Sequence, residues 1–397
     1  MRESRMLDAR LETLDAAARR AYLEQRLRET SRRAWGREVG FDDLPALPIT
    51  RKDALGSMQA ANPPFAGLLA GPQNRLQRIF VSPGPTYVPQ GPAVDYWRFG
   101  MAFAATGFRA GDIVLNTLSY HLTPGGFMLD SGLRSIGCVV ITAGVGQHDL
   151  QVRTASALHA TGYAGTPSFL RTLLLHARDN KTPLHFESAF ATAEMLPESL
   201  RAELEGFNIR VLQGYATADL GVLAYECAEK NGMHLQPECI VEILDLETGK
   251  QAEPGQPGQV VGTTFDEAYP LLRFATGDVS ALMPEDAPCP CGRTAPKLKG
   301  LLGRVGDAIK VKGMFVRGSQ IDEVMKRFAA VERWQAVITR EEHQDRLVYI
   351  VEGEVKDLER LAEALRETVK VRGEVQAAAR GTIPVNAPRL DDRRVWR

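Results

Sequence analysis

The chain has 397 residues, with 48 Lys and Arg against 49 Asp and Glu, so its formal net charge is −1. A near-neutral chain is a poor candidate for binding nucleic acid or an anionic membrane through bulk electrostatics. No stretch approaches the roughly 18 consecutive apolar residues that a membrane-spanning helix needs. The N-terminus is charged rather than apolar, and an odd count of five cysteines favours a reducing cytosol over a disulfide framework. We therefore expect a cytoplasmic enzyme of two or three domains, with no nucleic-acid and no membrane partner.

The first half of the chain predicts helices followed by a parallel sheet. Residues 1–60 are charge-rich and helical in pattern, and a short apolar strand at 78–81 then runs into the turn SPGPT. From about 93 to 190, apolar runs alternate with amphipathic segments, which is typical of a parallel sheet covered by helices. Two predicted strands and two predicted helices show the pattern: 112–118, 138–144, 150–160 and 168–178.

The second half predicts two further regions. After residue 210, short strands separated by Gly, Pro and acidic turns indicate a more antiparallel, barrel-like region. From Gly303, the order β-α-β-β-α-β indicates a small ferredoxin-like domain, with elements at 308–312, 319–328, 333–340, 346–353, 356–370 and 373–380. The predicted fold class is therefore α/β. A large N-terminal domain (1–302) has mixed and parallel sheets and a barrel-like subregion, and a small α+β C-terminal domain (303–397) follows.

Four segments stand out by their order along the chain. They are SPGPTYVPQ (82–90), GYATADLG (214–221), LLRFATGDVSAL (271–282) and LLGRVGDAIKVKGMFVRGSQIDEV (301–324). Together they resemble the adenylate-forming acyl-coenzyme A ligases, most closely the phenylacetate–coenzyme A ligase branch, over about residues 40–385. The resemblance implies an enzyme that uses ATP, Mg²⁺ and coenzyme A. It would join an aromatic or arylacetic carboxylic acid to coenzyme A through an acyl-adenylate.

The first segment corresponds to the family's phosphate loop. A Gly-rich turn after a strand can present backbone N–H groups to phosphate oxygens. The family reads Ser-Ser-Gly-Thr-Thr-Gly-Lys-Pro-Thr here, and Ser82, Gly84 and Thr86 match it. Two prolines replace hydroxyl residues and Val88 replaces Lys, so this loop has fewer donors for a triphosphate. A rigid surface turn without a ligand is the alternative.

The resemblance assigns the nucleotide to a second group of residues. Tyr215 and Ala216 would contact adenine beside Ala193 and Glu194, and Asp219 would coordinate Mg²⁺ next to the phosphates. Asp278 would accept both ribose hydroxyls, which suits a carboxylate. The alternatives are a buried tyrosine with a capping acid at 219 and a structural Gly-Asp turn at 278.

The resemblance also implies a mobile C-terminal domain. Arg304 would contact ribose or phosphate, and Asp307 would absorb the backbone change as the domain swings between two half-reactions. Lys310 and Lys312 would line the tunnel for the thiol. The family's C-terminal catalytic lysine corresponds to Arg393, and a guanidinium is not interchangeable with an ammonium. Adenylation is therefore expected to be slow or altered.

Cysteine spacing predicts a metal site. Cys289 and Cys291 form a Cys-x-Cys pair, and Cys227 and His234 lie upstream with Cys-x₆-His spacing, in a loop that the family places near that pair. Three thiolates and one imidazole make a closed tetrahedral zinc set of the structural kind. Cys239 is a substitute ligand, and the alternative is a group of reduced thiols with a solvated histidine.

The resemblance places the acid pocket around Tyr120, His121, Gly125 and Gly126. The expected partner is a small-molecule carboxylic acid, and a homodimer is a further expectation. Two other functions stay open. The first is an adenylation-deficient acyltransferase between coenzyme A and an acyl-carrier-protein thiol, and the second is a non-catalytic acyl- or nucleotide-binding protein. The chain has no Gly-x-Ser-x-Gly elbow and no Walker lysine motif, so the hydrolase and P-loop classes are disfavoured.

Overall fold

The computed structural model describes residues 4–82, 86–284, 288–305, 308–311, 314–341, 344–384 and 387–394. The chain forms two compact units, Met1–Leu302 and Gly303–Arg397. None of the helices in these described ranges is long and apolar enough to cross a membrane.

The helices of the described residues are spread over both units. They are α1 (Ala9–Glu12), α2 (Ala16–Trp35), α3 (Lys52–Ala61), α4 (Gly100–Thr106), α5 (Gly125–Ser135), α6 (His148–Ala157), α7 (Pro167–Asp179), α8 (Glu198–Glu205), α9 (Gly318–Met325) and α10 (Leu358–Val369), with short 3₁₀ turns at Leu44–Ala46 and Gln73–Arg75.

The strands are short, as the Gly- and Pro-punctuated sequence predicts. They are β1 (Thr50–Arg51), β2 (Arg78–Val81), β3 (Tyr87–Gln90), β4 (Ile113–Asn116), β5 (Val139–Thr142), β6 (Gly162–Gly165), β7 (Ser188–Ala191), β8 (Arg210–Thr217), β9 (Gly221–Glu226), β10 (Met233–Leu235), β11 (Cys239–Leu244), β12 (Gly258–Thr264), β13 (Phe274–Ser280), β14 (Lys297–Leu298), β15 (Gly303–Arg304), β16 (Ala308–Val311), β17 (Met314–Arg317), β18 (Arg333–Glu341), β19 (Gln344–Glu352), β20 (Glu374–Ala378) and β21 (Leu390–Asp392).

The first unit is built on an eight-stranded mixed sheet with the order β14-β10-β9-β8-β7-β6-β4-β5. Strands β5, β4, β6, β7 and β8 run parallel, and β9, β10 and β14 continue the sheet antiparallel. Alternate residues of the strands enter two different cores, as the two-residue period of a strand requires. Val114 packs with Phe103 and Leu133 of α4 and α5, whereas its neighbour Leu115 packs with Leu173 of α7. Helices therefore cover both faces of the sheet.

A second, smaller sheet in the same unit has the order β1-β13-β12-β11. Strand β1 is parallel to β13, and the remaining pairs are antiparallel. Helix α3 starts directly after β1, and its Leu55 packs with Val260 and Phe274 of this sheet and with Tyr215 of β8. The shared core fixes α3 and the second sheet against the end of the large sheet.

The second unit contains a four-stranded sheet with the order β20-β19-β18-β21. The central pair is antiparallel and both edge strands are parallel to their neighbours. Apolar residues of α9 and α10, such as Ile321 and Leu365, pack with Ile338 and Tyr349 of the sheet. Strands β16 and β17 form a separate hairpin.

The predicted α/β fold class is confirmed, including the parallel sheet and the small α+β region at the C-terminus. Two details differ from the sequence prediction. The strand predicted at 308–312 pairs within the β16–β17 hairpin rather than in the four-stranded sheet, and β21 takes the edge position beside β18. The small sheet predicted as barrel-like has an open strand order among the described residues. Local apolar patterns predict strands but do not say which strand pairs with which.

Candidate nucleotide site and metal centre

Five of the predicted site residues follow the carboxyl ends of parallel strands at one edge of the large sheet. Tyr120 and His121 follow β4, Ala193 and Glu194 follow β7, and Asp219 follows β8. In open α/β sheets, ligands bind at this edge. The fold therefore gathers residues from separate motifs along one edge.

Tyr215 and Asp278 are hydrogen-bonded although they belong to different sheets. The Tyr215 hydroxyl donates to Asp278 Oδ2 at 2.8 Å and lies 3.1 Å from Thr276 Oγ1, and both side chains are buried. Ala216 follows at an irregularity in the β8–β9 pairing and is half-buried. The structure thus joins the two residues that the resemblance assigns to adenine and ribose.

Asp219 sits in a tight turn between β8 and β9. The Trp97 indole donates to Ala218 O at 3.2 Å, and Gly221, with a φ of 69°, packs so closely that a Cβ would lie 2.6 Å from Trp97 O. The Asp219 side chain is 1% exposed, and Lys52 Nζ lies 3.0 Å from its Oδ2. Neither carboxylate oxygen has a hydrogen bond of good geometry to the described residues.

A buried carboxylate with so few partners is costly unless a cation compensates it. Mg²⁺ is a hard cation that proteins commonly hold through one or two carboxylates together with substrate phosphates. Asp219 fits that requirement, because its buried carboxylate has an ion pair with Lys52 but no hydrogen bond of good geometry to the described residues. Its role as a Mg²⁺ ligand stays a prediction.

The predicted phosphate loop joins β2 and β3, which form an antiparallel hairpin. Ser82 and Thr86 stand at its base, buried, with their hydroxyl oxygens 2.7 Å apart, and Gly84 lies outside the described residues. Gln59 of α3 accepts a hydrogen bond from Tyr87 N at 2.8 Å and donates to Tyr87 O at 2.9 Å. Two hydrogen bonds thus join α3 to the first residue of β3, directly after the loop.

A cavity of about 580 Å³ opens beside the loop after β4. Tyr120 and His121 line it together with Arg78, Phe127 and Asp130. Tyr120 packs edge-on against Phe127 with ring centroids 5.1 Å apart, and burial raises the pKa of its phenol. The cavity therefore offers aromatic surface next to charged groups.

The two glycines predicted near this pocket begin α5. At Gly126 a Cβ would lie 2.7 Å from the Tyr120 ring and 2.9 Å from the backbone oxygen of Leu118, whereas at Gly125 it would make only ordinary contacts. Gly126 therefore allows the close approach that places the Tyr120 ring in the wall of the cavity.

Three further predicted residues lie at the surface of their own units. Ala193 has a positive φ of 66°, and Glu194 accepts a 3.4 Å hydrogen bond from Ser168 N. In the second unit, Arg393 donates from Nε to Asp391 Oδ2 at 2.8 Å. Arg393, at the position of the family's lysine, is therefore already paired with an acid on the adjacent strand β21.

The other residues predicted in the second unit are only partly described. Arg304 lies on β15 and is exposed. Asp307 and Lys312 lie outside the described residues, and only the backbone of Lys310 in β16 is described. Their predicted roles at the hinge and the thiol tunnel stay predictions.

Cys227, His234, Cys289 and Cys291 come together in one cluster. Their ligand atoms all lie within 4.8 Å of one another. The Sγ atoms of Cys227 and Cys289 are 3.7 Å apart, and Cys291 Sγ is 3.5 Å from His234 Nε2. A tetrahedral zinc ion with bonds of about 2.3 Å to sulfur and about 2.0 Å to nitrogen would separate these pairs by ~3.8 and ~3.5 Å. The cluster therefore has the spacing that zinc requires.

The surroundings of the cluster also favour a metal. His234 Nδ1 lies 3.2 Å from Ala295 O, so a proton on Nδ1 leaves the Nε2 lone pair directed at the thiols. The hydrogen bond between Cys227 and Cys291 lowers the pKa of the Cys291 thiol and raises that of the Cys227 thiol, so Cys291 is the thiolate of this pair. Cys239, the substitute ligand, is not in the cluster, and its Sγ donates to Gln236 O at 3.5 Å.

Arg293, two residues after the Cys-x-Cys pair, connects the N-terminal region to this cluster. Arg293 N donates to Cys291 Sγ, and Arg293 Nε donates to Glu12 Oε2 at 2.6 Å. Glu12 also accepts hydrogen bonds from Leu7 N and from the Tyr225 hydroxyl. The Arg293 and Glu12 side chains are 2% and 0% exposed. A buried ion pair therefore holds α1 against the loop that carries Cys289 and Cys291.

Sequence reasoning missed Lys52, Gln59 and the Glu12–Arg293 pair. Lys52 and Gln59 lie seven residues apart on α3 and so share one helix face. That spacing can be read from the sequence, but it does not predict which residues the two side chains contact in the folded protein.

Two curated proteins with sequences similar to this chain are both named phenylacetate–coenzyme A ligase. No protein-family model matches the chain. The phenylacetate–coenzyme A ligase of Thermus thermophilus is 29% identical over 442 aligned residues, covering 97% of this chain and 97% of that protein. The phenylacetate–coenzyme A ligase of Aromatoleum evansii is 28% identical over 331 residues, covering 78% of this chain and 72% of its own length.

A solved structure shares the fold over the whole chain. It is an open conformation of 2-hydroxyisobutyryl-CoA ligase in complex with 2-HIB-AMP and CoA, with a TM-score of 0.82, 22% identity, and coverage of 98% of this chain and 95% of that one. The amide bond synthetase McbA of Marinactinospora thermotolerans aligns over 80% of this chain and 68% of its own, with a TM-score of 0.53 and 16% identity. The chain is thus similar to phenylacetate–coenzyme A ligases over nearly its whole length, and it shares its fold with 2-hydroxyisobutyryl-CoA ligase.

Proposed function

We propose that this chain is an AMP-forming ligase that joins a carboxylic acid to coenzyme A. In the first half-reaction the carboxylate of the acid attacks the α-phosphorus of ATP, and pyrophosphate leaves. In the second, the coenzyme A thiol loses its proton, its sulfur attacks the acyl carbon, and AMP leaves. The observation that carries the proposal is the buried Tyr215–Asp278 hydrogen bond, with the buried carboxylate of Asp219 in the turn that follows the strand of Tyr215.

Each of these side chains has a separate task in the proposed reaction. Asp278 accepts hydrogen bonds from the ribose hydroxyls, and the 2.8 Å bond from Tyr215 holds its carboxylate in orientation. Asp219 is the protein ligand for Mg²⁺. When bound, Mg²⁺ neutralises charge on the phosphate oxygens. Because Asp219 is buried at a turn held by Trp97 and Gly221, it needs little reorganisation to do this.

An aromatic or arylacetic acid is the proposed substrate. The cavity beside β4 presents the rings of Tyr120 and Phe127, and its volume of about 580 Å³ exceeds what one aryl group needs. The names of the two relatives are consistent with such an acid. A small aliphatic acid would leave much of the aromatic surface uncovered, and we expect it to be the poorer substrate.

One observation favours a second function. Arg393 stands where the family's catalytic lysine is expected, and its side chain is paired with Asp391 at 2.8 Å. A lysine acts as a compact, mobile point charge, which a paired guanidinium does not reproduce. If adenylation is lost for this reason, the remaining acyl and thiol sites would suit an acyltransferase between coenzyme A and a carrier-protein thiol.

The metal centre has a structural role in this proposal. Four protein ligands complete a tetrahedron, so no position stays open for a substrate, as in structural zinc sites. The first unit would bind ATP and the acid, and a mobile second unit would carry Arg304 and the hinge between the half-reactions.

The two functions are separated by measuring ATP–pyrophosphate exchange with a panel of aryl, arylacetic and short aliphatic acids. A ligase exchanges label only when its acid is present, and Asp278→Ala should reduce this exchange strongly. A panel without exchange, together with transfer of an acyl group from acyl-coenzyme A to a carrier-protein thiol, would favour the acyltransferase. Asp53→Asn is a suitable control, because Asp53 is an exposed residue of α3 that pairs with Arg51.

A further inference from the structure

Lys52 forms an ion pair with the buried carboxylate of Asp219. Its Nζ lies 3.0 Å from Asp219 Oδ2, and its side chain is 32% exposed while that of Asp219 is 1% exposed. The Lys52 side chain therefore contacts a buried carboxylate while part of it stays accessible to solvent. Asp219 still has an oxygen without a hydrogen bond to the described residues, which marks the place as one that accepts a further ligand.

Helix α3, which carries Lys52, also contacts the strand that follows the phosphate loop. Lys52, Gly56 and Gln59 share one face of the helix, since they are spaced by four and three residues. A Cβ at Gly56 would lie 3.8 Å from Thr86 Cγ2, and Gln59 makes two hydrogen bonds with the backbone of Tyr87. One helix face thus touches both Asp219 and the end of the loop.

The loop itself has no lysine at its usual position. Val88 stands there, apolar, 2% exposed and paired with Phe80 across the hairpin. The phosphates of a nucleotide beside Asp219 would therefore need their cation from another element. Lys52 pairs with Asp219, and its helix α3 is hydrogen-bonded through Gln59 to Tyr87 at the end of the loop.

We propose that Lys52 is a phosphate-binding residue that replaces the missing loop lysine; this rests on the proposed nucleotide site. Without nucleotide, the ammonium compensates the charge of Asp219. With nucleotide bound, Asp219 would hold Mg²⁺, and the Lys52 ammonium would be free to donate hydrogen bonds to the β- and γ-phosphate oxygens. A lysine suits this exchange because its charge is compact, its stem is flexible and its three donors rotate freely.

The test compares ATP, pyrophosphate and AMP binding in the presence of Mg²⁺ for the wild type, Lys52→Gln and Lys52→Arg. Lys52→Gln should weaken ATP and pyrophosphate binding by about 10- to 100-fold, as expected for lost charge-assisted hydrogen bonds, and change AMP binding less than about threefold. Lys52→Arg should recover part of the loss. Arg51→Gln is the matched control, because Arg51 is the neighbouring exposed cation and pairs with Asp53.

A second measurement uses the unmodified protein and guards against a variant that does not fold. Acetylation of Lys52, followed by mass spectrometry, should be slowed several-fold by ATP with Mg²⁺ and much less by AMP with Mg²⁺. Equal ATP affinity in Lys52→Gln and wild type, or equal protection by ATP and AMP, would overturn the role of Lys52. If the wild type binds neither ATP nor AMP, the nucleotide site itself is wrong, and that result is distinct from a failure of Lys52 alone.

Discussion

Removal of the metal should destabilise the first unit by an amount that the cluster geometry allows us to estimate. The observed ligand separations of 3.7 and 3.5 Å lie close to the ~3.8 and ~3.5 Å of tetrahedral zinc with sulfur and nitrogen ligands, so we expect about one zinc ion per chain. The ion joins segments that are some sixty residues apart in the sequence. Loss of such a cross-link costs about 3–5 kcal/mol by comparison with a native disulfide.

That cost converts into a measurable change in melting temperature. At about 2–3 °C per kcal/mol for a unit of this size, chelation or Cys291→Ala should lower the Tm by about 6–15 °C. Zinc is quantified by mass spectrometry of the purified protein, and unfolding is followed by calorimetry. Cys239→Ala is the control, because Cys239 is buried in the same unit but lies outside the cluster. Its zinc content should equal that of the wild type.

The result that would refute the reasoning is a purified protein with less than about a tenth of an equivalent of zinc whose Tm does not respond to zinc or chelator. A lower Tm in Cys291→Ala without any change in zinc content would also count against the site, since it would assign the loss to packing alone.

Three further predictions concern single side chains. Arg393→Lys should raise the rate of ATP–pyrophosphate exchange at least about tenfold, since a point charge would be restored to the reaction; an unchanged rate means that this position does not limit adenylation. Tyr215→Phe removes the donor to Asp278 and should weaken ATP binding by about tenfold by calorimetry, and equal affinity would contradict the orienting role of the phenol. Hydrogen bonds from Arg394 lower the pKa of Asp392 below its ordinary value, so its stabilising effect is present above about pH 4 and is lost as pH falls through the lowered pKa. Asp392→Asn should therefore cost up to about 1 kcal/mol of unfolding free energy at pH 7, and the difference from wild type should vanish near pH 2; a difference independent of pH would contradict this.

Much of the site could be predicted from sequence because its residues lie in motifs with a fixed local geometry. Asp219 and Tyr215 share a strand and its turn, and the Cys-x-Cys pair lies on one short loop. These spacings limit where the side chains point before any tertiary contact is known. The contact of Tyr215 with Asp278 and the convergence of the four metal ligands then follow from how the strands pair.

The missing parts depend on contacts that no local pattern encodes. Lys52 is an ordinary surface lysine by sequence, and only the packing of α3 under the hairpin brings it to Asp219. The strand at 308–312 has the right apolar pattern for a sheet, yet it pairs with a neighbour that is three residues away in the chain. Register and partner choice are tertiary properties, so one sequence without its fold does not determine them.

The Glu12–Arg293 bond sets an order for folding during synthesis. The two residues are 281 positions apart, and translation at about 5–20 residues per second would leave Glu12 without its partner for roughly 15–60 s. During that time the Glu12 carboxylate lacks the guanidinium that donates to it and pairs with its charge, so burying it would be costly. The N-terminal residues, although made first, would therefore be among the last of the first unit to reach their native position.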